Sequence, residues 1–343
     1  MTDMTENKYN NILVTGGCGF IGTNFIKYNF NQTDFKGRII NVDALTYSGN
    51  EANLGDIYEA YGHERYFFYK VDICDKLGIE KVFEKHNIDC IIHFAAESHV
   101  DRSISGPSQF IKTNVVGTHN LLEVARKFWI KKDDFNSKRF HHISTDEVYG
   151  SLSSEGYFYE DTCYNPRSPY SASKASSDHL VRSYYHTFGL PVTVSNCSNN
   201  YGPYQHPEKL IPLMITKMLN EERLPVYGKG KNIRDWLYVE DHCSAVWKIV
   251  HEGKVGETYN VGGDNELKNI DLVYLLCETV AKYNDKNPDY YKKLISFVKD
   301  RPGHDYRYAI NCEKIKKELK WNQKMTFEKG LDFTVEWYLN NWD

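Results

Sequence analysis

Short apolar stretches alternate with longer amphipathic ones along the first half of the chain. Each short stretch contains β-branched or aromatic residues and ends at Gly, Ala, Ile, Asp or Asn, which predicts β-strands at NILVTGG, RIINVDA, FFYKVDI, DCIIHFAA, RFHHISTD and PVTVSNCSN. The segments between them, at residues 20–30, 77–86, 113–129 and 173–188, predict crossover helices. Because parallel strands need long crossovers, the pattern predicts an α/β fold with a doubly wound, Rossmann-type parallel sheet.

The regular alternation fades near Leu190, where loops such as NNYGPYQHPEKLIP and shorter helical segments begin. The later stretch VGETYNVGG, residues 255–263, predicts a strand that returns to the main sheet. We therefore expect a doubly wound domain over residues 1–190 with a returning segment near residues 233–263. Residues 191–343 are expected to form a smaller, mainly C-terminal substrate-binding lobe.

Composition narrows the class of protein. The 343 residues are 41% hydrophobic and 26% charged, which is ordinary for a globular protein. A net charge of −4 gives no electrostatic attraction to a nucleic-acid backbone, so a nucleic-acid partner is not expected. The eight Cys include no C-x-x-C pair, which favours reduced thiols and argues against a structural zinc or another metal. A polar N-terminus followed by a short interrupted apolar run fits neither a signal peptide nor a membrane span, so we expect a cytoplasmic protein without a membrane partner.

The first chemical motif is Gly16-Gly17-Cys18-Gly19-Phe20-Ile21-Gly22, between a predicted strand and a predicted helix. Glycines at this place let the backbone turn tightly and approach a pyrophosphate, which the helix N-terminus attracts. The spacing G-x-x-G-x-x-G differs from the commoner G-x-G-x-x-G, and a turn that merely requires glycine is the alternative interpretation.

Asp43 ends the second predicted strand, about 20 residues beyond the glycines. A carboxylate at this point can accept hydrogen bonds from both hydroxyls of an adenosine ribose and would repel a 2′-phosphate, which favours NAD over NADP. A solvated Asp at a strand end is the alternative. Asp72 and Ile73 end the third strand at the same edge and are expected to flank the adenine.

Tyr170 and Lys174 are spaced i, i+4 at the start of a predicted helix, which puts both side chains on one face. A nearby ammonium stabilises phenolate, so we expect Lys174 to lower the pKa of Tyr170 and let it remove a proton from a sugar hydroxyl. The Y-x-x-x-K pattern also occurs by chance. Its position after the TDEVYG stretch of a nucleotide-binding sheet favours the catalytic interpretation.

A pair of acidic residues follows the strand RFHHIST, in the order Ser144-Thr145-Asp146-Glu147. Ligands of open parallel sheets lie beyond the carboxyl ends of the strands, so these carboxylates are expected to face a reaction chamber. Two neighbouring carboxylates in a partly dry cleft should have separated pKa values, one donating a proton while the other accepts. An exposed acidic turn or a helix cap is the alternative.

Together these motifs resemble those of the extended short-chain dehydrogenase/reductase family, and within it the nucleotide-sugar 4,6-dehydratases. The resemblance covers nearly the whole chain and includes GGCGFIG, DALTYSGN, HFAAESHVDRSI, STDEVYG, YSASK, SNNYGPYQHPEKLIP, RDWLYVEDH and RPGHDYRYAI. It implies NAD as the cofactor and a nucleotide-sugar substrate, dTDP-glucose first and UDP-glucose as the alternative. It also implies a homodimer formed by a four-helix interface, for which residues 113–129 and 170–188 are the matching helices.

The resemblance further implies which residues contact each ligand. Those expected to bind the cofactor are Gly16, Gly19, Phe20, Ile21, Gly22, Asp43, Ala44, Leu45, Thr46, Asp72, Ile73, Ala95, Ala96, Thr113, Tyr170, Lys174 and Asn200. Those expected to bind the substrate are Ser98, Thr145, Asn199, Lys209, Leu210, Pro225, Val226, Tyr227, Arg234, Asn269, Arg301 and His304. Arg234 and Arg301 are expected to form forked hydrogen bonds with phosphate oxygens.

The expected reaction uses Thr145, Asp146, Glu147, Tyr170 and Lys174 as catalytic residues. Asp146-Glu147 argues against a 4-epimerase, because related epimerases generally carry small or uncharged residues after the Ser/Thr. A non-catalytic NAD-binding protein is the alternative from another class, and the intact catalytic set speaks against it. His93, His99 and His242 have no metal-ligand spacing, and we expect them to be hydrogen-bonded structural residues.

Overall fold

The computed structural model of the chain describes residues 7–130 and 135–341. Its strands are β1 (Asn11–Thr15), β2 (Arg38–Asp43), β3 (Tyr66–Lys70), β4 (Cys90–His93), β5 (Arg139–Thr145), β6 (Val192–Cys197), β7 (Asn199–Tyr201), β8 (Leu224–Tyr227), β9 (Ile233–Tyr238), β10 (Thr258–Val261), β11 (Glu266–Lys268) and β12 (Ile295–Val298). Its helices are α1 (Phe20–Gln32), α2 (Gly55–Tyr61), α3 (Lys76–Lys85), α4 (Val100–Ser105), α5 (Pro107–Phe110), α6 (Thr118–Ile130), α7 (Pro169–Phe188), α8 (Leu210–Leu219), α9 (Val239–Glu252), α10 (Asn269–Tyr283), α11 (Pro288–Lys292), α12 (Glu313–Leu319) and α13 (Phe327–Asn341).

The central sheet of the described residues has seven parallel strands in the order β10-β6-β5-β4-β1-β2-β3. Alternate residues of each strand enter different cores, because side chains of a strand point to opposite faces. Ile12 and Val14 pack with α1 and α9 on one face, whereas Leu13 packs with α3 and α6 on the other. The predicted doubly wound α/β fold is therefore confirmed.

β6 and β10 both follow residue 190 and both lie in the central sheet. The returning strand predicted within residues 255–263 corresponds to β10, which pairs with β6. A second core lies among α8, α10 and α13, and smaller sheets accompany it in the orders β11-β9-β7 and β12-β8. The division at residue 190 stays a prediction, and the chain crosses between the two cores more than once.

The segment predicted as a helix over residues 113–129 is divided. Residues Ile111–Gly117 form a π-helical turn, and α6 continues from Thr118. Within the wide turn the Asn114 amide accepts from the backbone N–H of Glu97 at 2.9 Å and donates to the Glu97 carbonyl at 3.0 Å. Such turns often occur at functional sites, and this one meets the loop that follows β4.

No helix within the described ranges combines the length and the apolar character that crossing a bilayer requires.

Candidate active site

The carboxyl ends of the central strands open into one cavity of about 300 Å³. Parallel strands end at the same sheet edge, so residues far apart in sequence meet there. The cavity is lined by the following predicted site residues: Gly16, Gly19, Phe20, Ile21, Gly22, Asp43, Ala44, Thr46, Asp72, Ile73, Ala95, Ala96, Ser98, Thr113, Thr145, Asp146, Glu147, Tyr170, Lys174, Asn199, Asn200 and Lys209. The residues predicted for cofactor and catalysis are thus adjacent.

The glycine turn leaves no room for side chains. Gly16 has a φ of +71°, and a Cβ there would lie 2.7 Å from the backbone of Ala95. A Cβ at Gly22 would lie 2.2 Å from the carbonyl oxygen of Gly16. Gly19 precedes α1 without a side-chain cap, so the first amides of that helix face the turn. This geometry fits a dinucleotide pyrophosphate.

Asp43 lies at the end of β2, beside this turn. Its carboxylate accepts from the backbone N–H of Cys18 at 2.9 Å and from that of Leu45 at 2.7 Å. Burial raises the pKa of Asp43, and these two hydrogen bonds oppose the rise. Each carboxylate oxygen has more than one acceptor site, so both can still accept from ribose hydroxyls. Leu45 itself does not line the cavity.

The acidic pair lies in a short 3₁₀ turn, Asp146–Tyr149, directly after β5. The Thr145 hydroxyl accepts from the backbone N–H of Glu147 at 3.3 Å, which starts the turn, and Thr145 donates to Asp146 Oδ1 at 3.3 Å. Asp146 is buried, and its Oδ2 atom has no hydrogen-bond partner among the described residues. An unpaired buried oxygen on a residue that lines the cavity is suited to a ligand.

The two carboxyl groups differ in their electrostatic surroundings. Burial raises the pKa of Asp146 well above its usual value, and the charges of Glu147 and Asp235 raise it further. Burial also raises the pKa of Glu147, but the cations Arg234, Lys209 and Arg301 oppose that rise. Asp146 is therefore the group that holds a proton more firmly, and Glu147 is the one that ionises more readily.

Tyr170 and Lys174 lie in the first turns of α7. Ser168 caps this helix through a reciprocal pair of hydrogen bonds with Ser171, and Pro169 occupies its first turn. The helix therefore begins four residues before the predicted start at residue 173. Both side chains are buried, and Lys174 Nζ donates to the carbonyl oxygen of Ile143 on β5 at 2.7 Å.

The expectation that Tyr170 has a lowered pKa is not met in this arrangement. Burial raises the pKa of Tyr170 well above its usual value, Glu147 raises it further, and a hydrogen bond with Thr145 opposes the rise. Burial also lowers the pKa of Lys174. The cost of burying a phenolate exceeds the stabilisation that the Lys174 ammonium provides from one helical turn away. The ionised form of Tyr170 therefore depends on favourable contacts such as the hydrogen bond with Thr145.

Some predicted substrate residues lie outside this cavity. They are Leu210, Pro225, Val226, Tyr227, Arg234, Asn269, Arg301 and His304. Arg234 is buried; its guanidinium donates to the carbonyl oxygens of Ile233 at 2.7 Å and Asp305 at 3.0 Å, and it lies 4.2 Å from the Tyr308 ring centre. His304 lines a separate depression with Asn232 and Tyr306. Binding by these eight residues stays a prediction.

Arg301 does form a forked contact, but with a carboxylate. Its Nε and Nη2 atoms donate to Asp101 of α4 at 2.8 and 3.3 Å, and the Tyr227 hydroxyl donates to the same carboxylate at 3.3 Å. Asp101 lies in the quoted motif HFAAESHVDRSI, yet nothing in that motif pairs it with a residue 200 positions later. The pair joins the loops of the cofactor side to the C-terminal lobe.

Several residues that line the cavity were not predicted from the sequence, among them Glu208 and Cys197. Glu208 accepts from the Tyr47 hydroxyl at 2.9 Å and from Arg102 Nε at 3.3 Å, which connects the loop after β2, α4 and the segment before α8. Glu208 lies in the motif SNNYGPYQHPEKLIP, so membership of a motif was the available signal. Its partner Tyr47 lies in DALTYSGN.

The expectation for the three histidines is wrong for one of them. His93 is hydrogen-bonded to Thr15 and Thr118 at 2.7 and 2.9 Å, and His99 Nδ1 accepts from the backbone N–H of Arg102 at 3.3 Å. His242 is buried, and neither of its ring nitrogens has a hydrogen-bond partner among the described residues. Burial lowers the pKa of His242 to about 3, so the ring is packed as a neutral group.

Comparisons with known proteins agree with one another. The GDP-mannose 4,6 dehydratase family model matches residues 13–334. The dTDP-glucose 4,6-dehydratase 1 of Escherichia coli K12 is 54% identical over 341 residues, which covers 96% of this chain and 93% of that protein. The crystal structure of the Bacillus anthracis dTDP-glucose 4,6-dehydratase in complex with NAD has a TM-score of 0.84 and 48% identity, covering 97% of each chain. That of the Streptomyces venezuelae dTDP-glucose 4,6-dehydratase, also with NAD bound, has a TM-score of 0.87 and 41% identity, covering 96% of this chain and 97% of the other.

Proposed function

The chain belongs to the family of dTDP-glucose 4,6-dehydratases, and we propose that it converts dTDP-glucose to dTDP-4-keto-6-deoxyglucose and water. It is an NAD-dependent hydro-lyase. The observation that carries this proposal is the acidic pair Asp146 and Glu147, in the same cavity as Tyr170, Lys174 and the glycine turn. The relatives favour dTDP-glucose over UDP-glucose.

Elimination of water across C5 and C6 of glucose requires an acidic C5 hydrogen, which a ketone at C4 provides. Bound NAD supplies the acceptor for the C4 hydride and later the donor of hydride to C6. Its binding is supported by the glycine turn, by Asp43, and by the Oδ1 atom of Asn200, which has no partner among the described residues.

We assign proton transfers to residues of this cavity. Tyr170, supported by Lys174, removes the C4 hydroxyl proton, and Thr145 holds the C4 oxygen. Glu147 removes the C5 proton, while protonated Asp146 donates its proton to the departing C6 hydroxyl, which leaves as water. As hydride reaches C6, Glu147 returns its proton to C5. The different pKa directions of the two carboxyl groups support these separate roles.

The decisive test is product analysis after incubation of the purified protein with dTDP-glucose labelled with deuterium at C4. The expected product is a 4-keto-6-deoxy sugar whose C6 methyl group carries the label. A galactose-type product that retains the C6 hydroxyl would instead identify a 4-epimerase. A parallel incubation with UDP-glucose, compared by kcat/KM, measures the nucleotide preference, since the two substrates differ by one methyl group and one 2′-hydroxyl. A hydrophobic pocket separates such small changes by about 1–3 kcal/mol.

The proposal includes a homodimer built from residues 113–129 and 170–188. Support comes from apolar side chains on or beside these helices: Ile111, Val116 and Phe188 expose 48, 46 and 38% of their surface. Exposed apolar side chains are typical of an interface where they lie together on one face. Sedimentation of the purified protein tests it, and a monomer at assay concentrations would contradict it. A cytoplasmic location stays a prediction.

A further inference from the structure

A buried carboxylate, Asp178, lies behind the active site and has no part in the proton transfers assigned above. Its side chain has 0% exposure. It accepts from the Ser144 hydroxyl at 2.7 Å and from the Tyr164 hydroxyl at 2.9 Å, and its Oδ1 lies 3.1 Å from Nε2 of His142. A buried charge with so many partners needs an explanation beyond the general packing of the core.

Asp178 continues a row of residues along α7. Tyr170, Lys174 and Asp178 follow one another at i, i+4 spacing, so they lie on the same face of the helix. The partners of Asp178 on the other side, His142 and Ser144, are on β5 immediately before Thr145. Asp178 therefore joins the helix that carries Tyr170 and Lys174 to the strand that carries the Thr145-Asp146-Glu147 turn.

A second connection reaches the same strand end. The Tyr164 hydroxyl accepts from Arg182 Nη2 at 2.9 Å and from Asn196 Nδ2 on β6 at 3.3 Å. The Asn196 amide also donates to the carbonyl oxygen of Thr145 at 3.4 Å. The polar network around Asp178 thus reaches the carbonyl group of Thr145, the residue from which the catalytic turn starts.

Charge gives Asp178 a second role. The titratable groups that face Lys174 are His93 on β4, His142 on β5, Cys197 on β6, and Tyr170 and Asp178 on α7. Burial lowers the pKa of His142 to about 4 and that of His93 well below its usual value, so both are neutral at neutral pH. Burial raises the pKa of Cys197 to about 12 and keeps it a thiol.

Asp178 is the anion of this group. Burial alone would raise its pKa, but the contact of its Oδ1 atom with His142 Nε2 at 3.1 Å, the charge of Lys174 and the hydrogen bond from the Ser144 hydroxyl lower it below the usual value. The buried ammonium of Lys174 therefore has its compensating negative charge one helical turn along α7. Without that charge, burial would drive Lys174 towards its neutral form.

We propose that Asp178 is a positioning residue that fixes Lys174 and α7 against the end of β5 and supplies the counter-charge for the Lys174 ammonium. The inference rests on the proposed function, because it concerns proton removal by Tyr170. Asp178 does not line the cavity, so it acts through Lys174 and not on the substrate.

The experiment measures oxidation of the sugar alone. In a parent variant, Asp146→Asn with Glu147→Gln, the reaction is expected to stop after NADH forms, and neither replaced side chain titrates. Asp178→Asn is added to this parent, since asparagine has the same shape and an acceptor oxygen but no charge. Single-turnover NADH formation from dTDP-glucose is then recorded from neutral to alkaline pH on NAD-loaded protein.

The added substitution should slow NADH formation by about tenfold or more and move the alkaline limb of the profile to lower pH by about one unit. The direction follows because Lys174 releases its proton at lower pH once Asp178 is uncharged, and neutral Lys174 no longer stabilises the Tyr170 phenolate. The substrate concentration at half-maximal rate should change little.

Tyr164→Phe in the same parent is the matched control, because it removes one hydrogen bond to Asp178 but keeps the charge. Its alkaline limb should remain where the parent has it. Asp178→Glu restores the anion, so it should also keep the limb in place, and it carries the test if Asp178→Asn does not fold.

An alkaline limb unchanged in Asp178→Asn, or one that moves equally in Asp178→Glu, would overturn the inference. If the parent forms no NADH, the proposed function fails and the inference falls with it. If the parent forms NADH and Asp178→Asn has no effect, the inference about Asp178 is wrong but the proposed function stands.

Discussion

Asp146 and Glu147 are adjacent in one 3₁₀ turn, but the cations Arg234, Lys209 and Arg301 oppose the rise in pKa chiefly at Glu147. The pKa of Asp146 is instead raised by burial and by the negative charges of Glu147 and Asp235, and Arg234 is the cation that opposes the rise. Neighbouring carboxyl groups whose environments differ in this way are suited to act as acid and base. The first two predictions follow from this relationship.

Replacing both carboxyl groups, Asp146→Asn with Glu147→Gln, should separate oxidation from elimination. The cavity around Tyr170 and Lys174 is kept, so the protein should still form NADH when dTDP-glucose is added. Release of the 4-keto-6-deoxy product should fall at least about 100-fold, the usual contribution of general acid–base groups. NADH absorbance and product chromatography measure the two steps, and undiminished product release would refute the assignment.

The single change Asp146→Asn should stabilise the fold at neutral pH. The folded pKa of Asp146 is raised, chiefly by burial, so the folded state binds more protons than the unfolded state above about pH 4. The free energy of unfolding of the wild type therefore falls as the pH rises from about 4 towards the folded pKa of Asp146. The total loss is about 1.4 kcal/mol for each unit by which the folded pKa exceeds the unfolded pKa. Asparagine does not titrate, so its advantage should grow over that window.

Urea unfolding at several pH values checks this expectation. The gain of Asp146→Asn should disappear at about pH 4 and below, where aspartic acid is protonated in both states. The exposed residue Asp161 offers a control: Asp161→Asn should change the free energy of unfolding by no more than about 0.5 kcal/mol. A stability difference independent of pH would contradict the electrostatic explanation.

Gly22→Ala should strongly reduce the retention of NAD. The added Cβ would lie 2.2 Å from the carbonyl oxygen of Gly16, which forces the turn to move. NAD released after denaturation of the purified protein, quantified by chromatography, should fall at least about tenfold relative to wild type. Gly55→Ala is the control, because a Cβ there meets no atom within 4 Å, and it should retain NAD normally.

Arg234→Lys should weaken substrate binding more than catalysis. Arg234 is held by the carbonyl oxygens of Ile233 and Asp305, which orients its planar guanidinium, whereas Lys keeps the charge but lacks the fork. We expect KM for dTDP-glucose to rise about tenfold, with kcat within about twofold. Steady-state kinetics check this, with exposed Arg223→Lys as the neutral comparison. Unchanged KM would contradict the prediction that Arg234 binds the substrate.

The central strands, the glycine turn and the acidic pair could all be predicted from the amino-acid sequence. These features depend on local patterns: strands such as β1 alternate between two cores, and the glycine at 22 is required because a Cβ there would meet the Gly16 carbonyl oxygen of the same short turn. Because parallel strands end at one edge, the order of these motifs along the chain was enough to bring Asp43, Asp146 and Tyr170 to one cavity.

Features that depend on distant partners became visible only in the folded chain. The pair Asp101 and Arg301 joins residues 200 positions apart, and no local pattern specifies it. The pKa of Tyr170 followed burial and not the nearby lysine, and burial is a property of the assembled lobes. Asp178 belongs to no recognisable sequence motif. Its proposed role depends on its partners on β5, which only the packing of α7 against that strand brings close, because the cost of a buried charge depends on the groups around it.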